Sequence, residues 1–95
     1  MIDRVENEVE MVTRHLRIMQ MVIEDEPIGI VKVSDETEYP RHKVRYSFRT
    51  LENANLIEPT KQGAITTAQT PDFVDDLEDR VDDIEDTLDG MVIKV

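Results

Sequence analysis

At 95 residues the chain is long enough for one domain, and a domain of this size buries only about 60–65% of its unfolded surface. With 39% apolar and 4% aromatic residues the core must be aliphatic, and with no cysteine both a disulfide framework and thiolate chemistry are excluded. The formal net charge of −11 is uneven: residues 1–26 carry −4, residues 27–70 carry +1 and residues 71–95 carry −8.

From Ile2 the apolar positions Ile2, Val5, Val9, Val12, Leu16, Met19 and Ile23 alternate steps of three and four, which predicts an a/d heptad seam on one long helix over residues 1–26. A second stripe, Met11, His15, Ile18 and Val22, joins it. The first half therefore has a narrow seam. The second half is apolar over a wide arc and is expected to face two neighbours, the domain core and a partner helix. Glu24-Asp25-Glu26 and then Pro27 end the helix, because a residue before proline is pushed out of the α region. The opening MIDRVENEVE has no basic segment leading into an apolar one, and no apolar run approaches the ~20 residues that span a bilayer. A soluble, cytoplasmic protein with no membrane association is the expectation.

Pro27-Ile28-Gly29 reads as a short extended piece, and Ile30–Thr37 as a short helix whose Val33, Ser34 and Thr37 form a face small enough for close packing. Glu38-Tyr39-Pro40 is a turn, with Tyr39 directed inward and Pro40 in the first turn of the next helix, where its missing N–H would be unpaired anyway. In the predicted helix Pro40–Asn53, Val44, Phe48 and Leu51 fall on one side with small Ser47 beside them. His42, Arg45, Tyr46 and Arg49 fall opposite. The helix closes around Glu52-Asn53-Ala54-Asn55, where asparagine tolerates the left-handed conformation that often ends a helix. Leu56-Ile57-Glu58, a turn Pro59–Gly63 and the run Ala64–Thr67 then predict a small β-hairpin. A helix with a cationic outer face followed at once by a hairpin is the layout of a winged helix-turn-helix. The expected fold is mainly α, a winged-helix core over 27–69 with long N- and C-terminal heptad helices.

Thr70-Pro71-Asp72 is a helix start, with Thr70 as cap, proline in the first turn and acids to match the helix dipole. Val74, Leu77, Val81, Ile84, Leu88 and Met91 form a second a/d seam, and nearly every other position up to Gly90 is acidic. Gly90 is expected to end the regular part, leaving Met91–Val95 as an apolar tail. A lone acidic helix of about 18 residues is marginal in water, so it must pack on something. Two seams at opposite ends of one domain predict a homodimer, held through Val5, Val9, Val12, Leu16 and Met19 and through Val74, Leu77, Val81, Ile84 and Leu88: either the C-terminal helices pair across a two-fold axis, or the N- and C-terminal helices pack side by side and a second chain completes the bundle. The alternative is an antiparallel pair within a monomer, which leaves the wide arc of Met11–Ile23 harder to cover.

The basic cluster is the most informative charge signal: Arg41, Lys43, Arg45 and Arg49 fall within nine residues that hold no acid. Together with His42, Tyr46 and, at the hairpin tip, Lys61 and Gln62, they are the candidate DNA-binding residues. Arg can bond guanine O6 and N7 in a bidentate way, and Lys and Arg neutralise phosphates. The plainer alternative is a solvated cationic face or a protein contact. His15 and His42 stand at no metal-ligand spacing, and His15 reads as a hydrogen-bonded residue at the edge of the apolar arc. The acids of 72–89 lack the ligand alternation of a calcium loop. No nucleophile elbow, phosphate loop or His/Ser/Cys arrangement suggests catalysis, so neither enzyme activity, a cofactor, a metal nor a small-molecule substrate is expected. Eleven Asp against four Lys is the composition of a halophile surface, where carboxylates keep a protein hydrated in concentrated salt.

With these residues in view, the segment from Pro27 to Thr67 resembles the winged-helix module of small archaeal regulators, and the whole chain looks like a mostly uncharacterised family of such proteins from haloarchaea and methanogens. The matching features are the turn Thr37-Glu38-Tyr39-Pro40, the helix Val44-Arg45-Tyr46-Ser47-Phe48-Arg49, and Leu56-Ile57-Glu58 at the start of the wing. The resemblance implies double-stranded DNA as partner, a role in transcription regulation and a cytoplasm rich in potassium chloride. It departs at Glu38, where the turn often carries glycine. The competing expectation is a dimeric protein-interaction module on the same scaffold, without specific DNA binding.

Overall fold

The computed structural model describes the backbone of residues 2–93 and the side chains of residues 3–87. In chain order it has α1 (Ile2–Asp25), α2 (Ile30–Thr37), α3 (Arg41–Asn53), β1 (Ile57–Thr60), β2 (Gly63–Thr66) and α4 (Thr70–Ile93), a mainly helical fold with one antiparallel β-hairpin. α1 falls where hydrophobic periodicity places it, and α2 covers the short segment Ile30–Thr37 read as a helix. α3 starts one residue later than expected, because Pro40 is extended (φ −57°, ψ 143°) and acts as the cap. Its carbonyl accepts the N–H groups of Lys43 and Val44 at 3.0 and 3.1 Å.

The core forms where α1 crosses α3. Ile18, Met19 and Val22 of α1 pack with Val44, Phe48 and Leu51 of α3, and Val33 of α2, Ile28, Leu56, Ile57 and Ala64 close the cluster. Tyr39, Phe73 and Val74 pack against it from the edge. The wide arc of α1 is thus satisfied on one side, with Ile18 and Val22 fully buried and Met11 and His15 half-buried.

The hairpin is longer than expected and its turn tighter. Strand pairing runs from Ile57↔Thr66 to Thr60↔Gly63, so only Lys61 and Gln62 lie in the turn, and Pro59 is a strand residue opposite Ala64. Ala64 explains why proline is tolerated. Its N–H and C=O both bond Ile28 on the other side, at 2.8 and 3.1 Å, so the Pro59–Ala64 pair is a non-hydrogen-bonded one and the missing N–H breaks no ladder bond. Ile28 thereby adds a one-residue third strand. Gly63 allows this approach: its φ is +132°, and a Cβ there would lie 2.5 Å from the Ile28 carbonyl carbon and 2.8 Å from the amide nitrogens of Ile28 and Gly29. Gly63, expected in the turn, is therefore a strand residue packed against the chain's own backbone.

Thr70 is not the simple helix cap that the sequence suggests. It is buried, its hydroxyl donates to the Leu56 carbonyl at 2.7 Å and it accepts the Thr67 N–H at 3.0 Å, while the Thr67 hydroxyl donates to the Asn55 carbonyl at 2.7 Å. These bonds fix the start of α4 to the start of the hairpin. Gly90 does not end α4 either, since the helix continues to Ile93; one glycine costs a helix only about 1 kcal/mol relative to alanine. The side chains of Leu88 and of the tail Met91–Val95 lie outside the described residues.

Beyond their roots α1 and α4 leave the core. The radius of gyration is 15.5 Å, against ~12 Å for a compact domain of this length, and the long dimension is 53 Å. Both seams emerge uncovered: Val5, Val9 and Val12 are 55, 59 and 49% exposed, Val81 and Ile84 43 and 58%. The antiparallel pairing of α1 with α4 in one chain is therefore not adopted. Met19 is in the core, Leu16, Val74 and Leu77 are half-buried, and the rest of the described seam residues face solvent.

Candidate nucleic-acid interface

α3 has one buried side and one charged side. Val44, Ser47, Phe48 and Leu51 are buried, whereas Arg41, His42, Arg45, Tyr46 and Arg49 are exposed and Lys43 is half-buried on the flank. Ser47 looks toward α1 while Phe48 and Glu52 border the hairpin, across a cleft of about 180 Å³. Arg45 lies seven residues before Glu52, hence on the same helical column, and Arg49 lies next to it. These two arginines therefore occupy the flank nearer the hairpin, and Tyr46 the flank nearer α1. Lys61 and Gln62 are exposed in the hairpin turn, where the Gln62 N–H donates to the Thr60 hydroxyl at 3.2 Å and that hydroxyl donates to the Gly63 carbonyl at 2.6 Å. Among the described residues none of these cations stands within an ion pair; the pairs present are Arg4–Glu8 and Arg80–Asp76.

The turn before α3 is fastened by hydroxyls. Ser34 Oγ donates to the Tyr39 carbonyl at 2.6 Å, and Thr37 Oγ1 donates to the Val33 carbonyl at 2.6 Å while accepting the Tyr39 N–H at 3.2 Å. Ser34 and Thr37, read from sequence only as small, also fix the angle between α2 and α3. Glu38 sits in the left-handed conformation (φ 65°, ψ 5°), with its N–H donating to the Ser34 carbonyl. It is exposed, three residues before Arg41. At the other end Asn55 is left-handed too (φ 59°), as its residue type suggests.

A second fastening escaped the sequence reading. Ser47, fully buried, accepts the Nε–H of Arg14 at 3.2 Å, and its oxygen lies 2.7 Å from His15 Nδ1. Arg14 is only 7% exposed. The His15 ring stands 5.7 Å from that of Tyr46, centre to centre. Burial, and secondarily the positive charge of Arg14, lower the His15 pKa below its usual value. One serine thus links two side chains of α1 to the middle of α3. Arg14 could have been found from its spacing, since Arg14, Ile18 and Val22 are an i, i+4, i+8 series with the last two in the core.

Among the described residues no three His, Asp or Glu side chains gather where a metal ion could be held, and no helix is long and apolar enough to cross a membrane. Comparison with models of known protein families and with curated proteins finds no match to the chain.

Proposed function

We propose that the chain is a DNA-binding transcriptional regulator, a homodimeric winged helix-turn-helix in which α3 is the recognition helix and the β1–β2 turn the wing. One observation carries the reading: in a chain of net charge −11, the outward face of α3 presents Arg41, His42, Arg45 and Arg49 exposed and free of acidic partners among the described residues. The order helix, bridging strand at Ile28, two helices, hairpin supports it, as does the resemblance to small archaeal regulators. Arg45 and Arg49 contact base edges or phosphates from the major groove; Arg41, Lys43 and Lys61 hold register on the backbone. Two-fold symmetry then favours a pseudo-palindromic site. In molar salt the Debye length is about 3 Å and counterion release gives little affinity, so close contacts must supply the binding.

The test is selection of fragments from sheared genomic DNA of the source organism by purified protein in concentrated potassium chloride, beside the Arg45→Ala/Arg49→Ala variant. Enrichment of a few fragments sharing a two-fold motif, lost in the variant, is the expected result. Equal retention by both proteins would overturn the reading and favour a protein-interaction module.

A further inference from the structure

The two exposed seams are not equivalent, and the difference lies in the charges beside them. In the heptad of α4, Val74 and Val81 are a positions and Leu77 and Ile84 d positions, which puts Glu78 and Glu85 at e and Arg80 at g. Arg80 is the single base among residues 70–87 of α4, against nine acids. It precedes Glu85 by five residues, the spacing at which the g residue of one helix meets the e residue of the other in a parallel, in-register pair. An antiparallel pair would instead set e against e and g against g, acid against acid and base against base. On α1 the e and g positions are Glu6, Thr13 and Gln20, and Glu8 and His15, with no oppositely charged couple at that spacing. Valine at the a positions 74 and 81, with leucine at the first d, also favours two strands.

The surface next to this seam is open and apolar. Leu16, Met19 and Ile23 of α1 and Val74 and Leu77 of α4, together with Gln20, Glu24 and Glu78, line one groove of about 430 Å³ at the root of the two helices, most of its surface apolar. The a/d faces of both helices meet there. In the single chain Arg80 Nε is 3.1 Å from Asp76 Oδ2, a pair whose side chains are 74 and 62% exposed, so exchanging it for another carboxylate loses little.

We infer that the occupant of this groove is α4 of a second copy, lying parallel and in register along the first α4, with Arg80 of each chain paired to the partner's Glu85. This deepens the homodimer of the proposed function: it selects α4 over α1 as the two-fold helix and sets both α3 helices at the same end of the assembly, as a two-fold DNA site requires. The short seam of α4 gains area because each α4 also lies against the root of the other chain's α1. The exposed stripe Val5, Val9 and Val12 takes no part in the pairing.

Charge exchange tests it, because register and net charge predict opposite results. Arg80→Glu makes the chain more negative by two charges, Glu85→Arg less negative by two, and the double variant leaves net charge unchanged. If only overall repulsion mattered, the first would weaken the dimer and the second tighten it. Under the inferred pairing each single variant weakens association by on the order of tenfold and the double variant restores it, as read by sedimentation equilibrium across a potassium chloride series. Association that follows net charge, or a double variant no better than the singles, would overturn the pairing.

A second measurement is independent of charge. The chain has no native cysteine, so Ile84→Cys should crosslink under mild oxidation while Asp79→Cys, on the outer face, should not; equal crosslinking of the two would overturn the inference. The two readings fail separately. A restored, crosslinkable dimer that retains no DNA removes the DNA reading alone, and specific DNA retention without these dimer signatures removes this one alone.

Discussion

Replacing Glu38 by glycine should make the protein more stable, and the amount follows from one dihedral angle. Glu38 closes α2 at φ 65°, a conformation that costs a residue with a Cβ roughly 1–2 kcal/mol and glycine nothing. Against this, glycine gives up about 0.5–1 kcal/mol more chain entropy on folding. The balance is a gain of about 0.5–1 kcal/mol, or roughly 2–8 °C in Tm for a domain of this size. The side chain of Glu38 is exposed and takes part in none of the described hydrogen bonds or ion pairs, so nothing offsets the gain.

Glu38→Ala separates the causes. It removes the same charge but keeps the Cβ, so it should leave Tm near that of the parent. Thermal melts of the three proteins by circular dichroism in concentrated potassium chloride would show glycine alone raised. Equal stabilisation by alanine would mean that charge, not dihedral strain, is relieved. If α3 binds DNA as proposed, both variants remove an acid three residues before Arg41, and at reduced salt both should bind DNA more tightly, by a similar factor.

Gly63→Ala has no such freedom. A Cβ 2.5 Å from the Ile28 carbonyl carbon forces the hairpin off the Ile28 bridge, and a loss of about 2–4 kcal/mol is expected in urea titrations; an undisturbed midpoint would show that the bridge contributes nothing. His15 gives a pH signature. Its pKa is lowered in the folded state, so between that value and 6.5 the unfolded chain binds more protons, and stability should fall as pH drops through this window. His15→Gln should flatten that part of the profile, and an unchanged slope would place the effect elsewhere. Because acids crowd the α4 seam, the proposed dimer should loosen as potassium chloride is lowered; sedimentation showing the same dimer at low and high salt would sink this.

Most of the architecture was legible because each helix announces itself by period. The 3–4 spacing of Val5 to Ile23 and of Val74 to Ile84 is seen in helices, α1 over nearly the expected extent and α4 continuing past Gly90 to Ile93, and Val44, Phe48 and Leu51 are buried as their spacing requires. What stayed hidden depends on contacts between distant segments. Nothing local to Pro59 says that its open side faces away from β2, because that follows from the Ile28–Ala64 bridge. Nothing local to Thr70 says that its hydroxyl will be taken by Leu56 rather than spent on its own helix. Of the candidate interface, the exposed residues were read from sequence, whereas the Arg14–Ser47–His15 fastening that holds them was not, because an arginine among acids and apolar residues reads as surface until its spacing to Ile18 and Val22 is weighed.

The arrangement separates charge by sign and by rigidity. The cations ride on α3, which the core, the hydroxyl-bonded turn and the Ser47 fastening hold from three sides; the acids are concentrated on α4, which the Thr67 and Thr70 bonds direct away from its root. At about 0.01 M salt, with a Debye length of about 30 Å, the acids of α4 reach across the molecule and oppose any polyanion approaching α3. Near 1 M, where that length is about 3 Å, they no longer do so, but long-range steering by the arginines vanishes as well. Only groups placed within contact distance keep their effect. A chain of net charge −11 can then bind DNA only through positioned side chains, which is the condition under which fixing α3 at both ends and in the middle matters most.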